Sequence, residues 1–169
     1  MSLSMHTACV PVFKQMLASL SDVLANAEAH ATDRKIEPQA LLQARLFPDM
    51  FPFMRQVQIA CDFARSVPAR LAGTDVPAYE EAGQGFAELQ ARIADTLAFI
   101  DSLPASAFEG SDTRDIVLRP GTPKERTISG QGYLLQYGLP QFFFHVTTAY
   151  ALLRHNGVGI GKKDFMGAY

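Results

Sequence analysis

The chain has 169 residues, the size of one domain (residues 1–169) that buries a core without disulfide or metal staples. Lys and Arg number 15 against 17 Asp and Glu, a formal charge of −2, and the 19% charged residues form no basic stripe, which argues against a nucleic-acid partner. No apolar run approaches the roughly 20 residues that span a bilayer, and no basic segment, hydrophobic stretch and cleavage site open the chain; a cytoplasmic protein without a membrane partner is expected.

Phe13, Met16, Leu17, Leu20, Val23, Leu24 and Ala27 recur at spacings of three and four and predict a first long helix. Pro11 either occupies its first turn or kinks a helix that begins near Ser4. The polar run His30–Glu37 ends it. Pro38 opens a short helical piece, QALLQARL, and the two prolines between Phe47 and Phe53 predict an irregular approach to the next helix. From Pro52 to about Ala72, the residues Phe53, Val57, Ala60, Cys61, Ala64 and Leu71 trace a second apolar face, which Pro68 should bend or interrupt and Gly73 should stop. After a loop from Thr74 to Gly85, Phe86, Leu89, Ile93, Leu97 and Ile100 define a third long helix, closed by Pro104.

Asp115–Leu118 and Glu125–Ile128 flank a turn cluster of Pro120, Gly121, Thr122 and Pro123 and predict a small β-hairpin. A two-stranded ribbon is marginal alone and should pack on the helical body. The fourth helical region runs from about Gln131 to Asn156, broken near Gly138, restarted at Pro140 and capped by Gly157. These elements add up to an all-α four-helix bundle with a β-hairpin between the third and fourth helices.

The fourth helix places one imidazole, His145, among Phe142, Phe143, Phe144, Val146 and Ala149. Burial of that group requires a hydrogen bond, a ligand or a metal, and a satisfied core histidine and a ligand-contacting one both fit. Gln141 lies one turn earlier on the same face. Gln56 borders the buried stripe of the second long helix, either at its exposed edge or facing the same space. Tyr150 and the three phenylalanines read as core or as the lining of a ligand pocket. His6, His30 and His155 read as solvated, and Cys9 and Cys61, in apolar sequence without C-x-x-C spacing, as buried free thiols. No nucleophile with a base at readable spacing, glycine-rich phosphate loop or H-E-x-x-H occurs.

The segments RLFPDMFPFMRQVQIACDFA (Arg45–Ala64), ARLAG (Ala69–Gly73) and LPQFFFHVTTAYALLRHNGVGIGKKDF (Leu139–Phe165) resemble an uncharacterised-domain family of the DinB/YfiT-like superfamily of four-helix bundles. The resemblance covers nearly the whole chain. Metal-binding members of that superfamily carry a histidine on the second helix and an H-x-x-x-H pair on the last, followed by LLR and a glycine. With LLR at Leu152–Arg154 and the glycine at Gly157, the resemblance sets His145 on the second histidine of the pair and Gln141 on the first. The second-helix histidine falls on Gln56, within one helical turn. One imidazole remains of the three expected for divalent zinc, nickel or iron, and amide oxygens hold such metals weakly. The expectation is a soluble, homodimeric DinB-like bundle that binds a small polar molecule in a cavity lined by His145, Gln141, Gln56 and Tyr150, with no cofactor and no metal, or His145 alone as a ligand. The alternative is a metal-dependent hydrolase or thiol transferase in which Asp49, Asp62 or a water network completes the coordination.

Overall fold

The computed structural model describes residues 3–79 and 84–169; the part of the predicted Thr74–Gly85 loop at residues 80–83 lies outside the described residues. The elements run α1 (Met5–Asp33), α2 (Pro38–Leu42), α3 (Phe53–Ala72), α4 (Phe86–Asp101), a 3₁₀ turn (Ala105–Phe108), β1 (Asp115–Leu118), β2 (Arg126–Ser129), α5 (Gly130–Gly132), a π-helical segment (Tyr133–Gly138), α6 (Leu139–His155) and α7 (Lys162–Met166). The long helices α1, α3, α4 and α6 make the bundle: α3 packs against α6 and α4, and α1 against α4. Between them lies one apolar cluster, with Phe13, Leu17, Leu24, Phe53, Val57, Ile93, Ile100, Phe142 and Leu152 among its buried members.

α1 begins at Met5, because the Ser4 hydroxyl accepts the Thr7 amide at 3.1 Å. Pro11 therefore sits inside the helix, about two turns past the cap. α1 is also long and apolar enough to cross a membrane by length and composition alone, with mean hydropathy 1.2 over its best window, which corrects the expectation that no segment reaches that length. Half of that window is buried inside the protein. α2 stops at Leu42, so the predicted piece through Leu46 is only half helical; beyond it the Ala44 carbonyl accepts the Phe53 amide at 2.9 Å and ties the irregular stretch to the start of α3.

α3 runs through Pro68 without interruption and ends at Gly73, whose φ of 71° a side chain would resist. The antiparallel hairpin pairs Asp115 with Ser129 and Leu118 with Arg126, so its second strand lies one residue later than the sequence implies. Ile116 and Leu118 turn inward onto the bundle.

The predicted break near Gly138 does not occur. Helical backbone is continuous from Gly130 to His155, and Gly138 and Leu139 both hold right-handed helical angles. Pro140 has no N–H for the carbonyl four residues earlier, and the widened π segment just before it absorbs the mismatch. Gly138 serves a different purpose: a Cβ there would lie 2.8 Å from Cγ2 of Val67, so glycine lets this run press against α3. α7, which periodicity does not show, is held by the Gln15 amide donating to the Met166 carbonyl (2.9 Å) and the Ser19 hydroxyl to that of Phe165 (2.7 Å).

Candidate functional site

The α3–α6 interface brings His145 and Gln56 together from positions 89 residues apart. Pro52, extended at ψ 163°, caps α3 and leaves the Phe51 carbonyl just outside the helix. The Gln56 side chain folds back to it, donating from Nε2 at 3.1 Å. That bond fixes which end of the amide faces inward: Oε1 lies 2.6 Å from Nδ1 of His145. An amide oxygen only accepts, so Nδ1 carries the proton, and Nε2 of the neutral ring keeps a bare lone pair.

Gln56 is 1% exposed and His145 7%. The Phe63 ring lies nearly parallel to the imidazole (6.1 Å, 15°), and Phe144, 55% exposed, meets it edge-on (5.2 Å, 88°). Burial pushes the His145 pKa below its ordinary value, the Arg55 guanidinium adds to that, and Asp62 opposes it. The ring is therefore neutral at neutral pH and can act as a hydrogen-bond acceptor or a base.

The other expected site residues sit apart from this pair. Gln141 is half-buried and lines a shallow pocket of about 250 Å³ with Gln136, Tyr137, Pro140 and Phe144. Tyr150 lies five residues past His145, about 140° around the helix, and packs edge-to-face on Phe165 of α7 at 5.6 Å. Of the carboxylates considered as extra ligands, Asp49 is exposed and Asp62 pairs with Arg92 at 2.5 Å. Among the described residues no group of three or more His, Cys, Asp or Glu side chains is placed to hold one metal ion. The Gln56 oxygen already accepts the His145 proton, so one imidazole and a committed amide do not fit a three-imidazole metal site.

His6 is half-buried with its ring edge-on to Phe108 at 5.2 Å, and His155 is exposed. Cys9 and Cys61 are buried free thiols, each pushed up to about 12 by burial. Sequence reasoning missed Phe63 and Tyr137, whose rings meet at 5.9 Å. It also missed a clamp between α3 and α4, where the guanidinium groups of Arg65 and Arg92 lie 3.7 and 3.5 Å from the Tyr79 ring centre. Two such groups cannot share one face, so the ring is sandwiched. Its hydroxyl donates to the Cys61 carbonyl at 3.0 Å and lies 2.7 Å from that of Thr96, which fastens the chain that follows α3 back onto α3 and α4. An arginine at position 65, within the apolar stripe of α3, was the available signal.

Residues 5–166 match the family model described as "Domain of unknown function (DUF1993)". No curated protein matches the chain. Among solved structures, it is similar to a DinB family member protein from Shewanella denitrificans, at 37% identity and a TM-score of 0.90, over 97% of this chain and 92% of that one. The chain therefore belongs to the DUF1993 family and is a DinB-like helical bundle with a small antiparallel hairpin.

Proposed function

We propose that this DinB-like protein binds a small polar molecule next to the Gln56–His145 pair and keeps no resident metal. The observation that carries this reading is the pair itself. A buried imidazole held by an anchored amide is stable without a metal, and its bare Nε2 offers one directed acceptor to an O–H or N–H group. The shallow pocket along Gln141 and Phe144 lies one turn away on the same helix, and its mixed lining of two glutamine amides with Tyr137, Pro140 and Phe144 offers a small polar molecule both hydrogen bonds and apolar contact.

Two measurements test it. Elemental analysis of the purified protein, with thermal melts before and after chelator treatment, should give well under one equivalent of transition metal and an unchanged Tm. Long-range ¹H–¹⁵N spectra of the imidazole should show the Nδ1–H tautomer, with an Nε2 resonance that moves when phenol is added as a donor probe. About one equivalent of zinc, nickel or iron that is lost in His145→Gln would overturn the reading in favour of a metal-dependent hydrolase or thiol transferase.

A further inference from the structure

The hairpin carries side chains that the Gln56–His145 pair leaves unused. Arg119, Lys124 and Arg126 line, with Leu118 and Tyr137, a pocket of about 290 Å³. That is several times the roughly 30 Å³ of a water molecule and has room for a phosphoryl or carboxylate group. Its lining holds three cations and no carboxylate, in a chain whose overall charge is −2. Ion pairs among the described residues are made by Lys14 and Arg92, not by these three. The acid of the turn, Glu125, accepts the Gly121 amide. Arg119 is held at φ 51°, its carbonyl accepting from the amide (3.3 Å) and hydroxyl (2.8 Å) of Thr122, so the turn fixes where its side chain departs.

Tyr137 connects this pocket to the pair. It also walls the shallow pocket of Gln141 and Phe144, and its ring meets Phe63, which lies parallel to His145. An aromatic row therefore runs from a cluster of cations to a neutral imidazole. Two arginines beside a lysine suit an oxyanion, because the guanidinium fork donates two parallel hydrogen bonds to adjacent oxygens. We infer that the hairpin pocket binds the anionic end, a phosphate monoester or carboxylate, of a small molecule whose aromatic or apolar body lies along Tyr137 and Phe63 toward His145. Only the His145 end of this placement rests on the proposed function.

The test uses the full chain with phenyl phosphate as probe and phenol as its uncharged counterpart, read by backbone amide shifts and by the His145 ring. The comparison variant is Arg119→Asn with Arg126→Gln, because asparagine tolerates a positive φ; its far-UV spectrum and Tm confirm folding. Phenyl phosphate should shift the amides of residues 118–126 and Tyr137, and the double variant should weaken it tenfold or more while phenol binds both proteins alike. Unchanged affinity in the double variant, or no hairpin shifts, overturns the inference. Hairpin shifts with a silent His145 support the anion pocket and count against the proposed function. A responding His145 whose phenyl phosphate affinity ignores the variant does the reverse. Capture by phosphatidylglycerol vesicles that needs Arg119 and Arg126, with no response to phenyl phosphate, overturns the small-molecule assignment.

Discussion

Replacing Gln56 by leucine tests the buried pair directly. Leucine is close in size, so little cavity opens, but the Nδ1–H of His145 loses its acceptor in a site where Gln56 is 1% and His145 7% exposed. The Phe51 carbonyl also loses a donor, although it sits beside an exposed residue where water can replace it. A buried donor left unpaired costs about 1–3 kcal/mol. At about 2–4 °C per kcal/mol for a chain of this length, Tm should fall by about 2–12 °C. Removing both polar groups, in Gln56→Leu with His145→Phe, should recover most of that loss, since exchanging a whole hydrogen-bonded pair for apolar groups is close to neutral. Denaturant melts of the two single variants and the double variant complete a cycle, whose coupling should reach about 1 kcal/mol or more. Additive losses within about 0.5 kcal/mol would refute a hydrogen bond between these residues as a source of stability.

Because burial holds the His145 pKa below its ordinary value of about 6.5, the unfolded chain takes up this proton first. The group therefore leaves stability untouched above about pH 6.5 and lowers it as pH falls from there through the depressed folded value. Urea midpoints at pH 7.5 and 5.5 should drop more in wild type than in His145→Gln, and equal drops would exclude His145 as the cause. Gly130→Ala places a Cβ 1.8 Å from the Ser111 carbonyl oxygen, against 2.8 Å from Val67 Cγ2 for Gly138→Ala; the first should lose at least the about 1–3 kcal/mol typical of overpacking and clearly more than the second, by thermal melt. Cys9 and Cys61, buried and with thiol pKa values near 12, should resist a disulfide reagent in the native protein and both react once it is unfolded. Leu46, Phe47, Phe51 and Phe144 leave apolar surface exposed, and a homodimer is the proposed state; sedimentation at micromolar concentration should give a dimer, and a monomer removes that proposal.

The bundle and its hairpin are written in local pattern. Apolar residues at spacings of three and four cover α1, α3 and α4, and Pro38, Gly73 and Gly157 mark ends through backbone geometry that each residue carries by itself. His145 stands out for the same reason, as a polar ring in an apolar stripe. What it bonds is a question of helix packing. Gln56 lies 89 positions away at the border of its stripe, and only the rotation of α3 against α6 decides that it faces inward. Gln141 shares the face of His145 on a helical wheel, yet it opens onto the shallow pocket beside Tyr137 and Phe144. Gly138 misleads in sequence because a glycine that breaks a helix and one that lets two helices touch look the same until Val67 is in view. α7 is five residues long, too short for periodicity, and exists through its bonds to Gln15 and Ser19 of α1. The hairpin cations become a pocket only once Tyr137 of the π segment closes one side. Local preference determined the long helices and the hairpin, and tertiary packing, which joins positions far apart in the chain, decided α7, the unbroken run through Gly138, and what the buried imidazole and the hairpin arginines face.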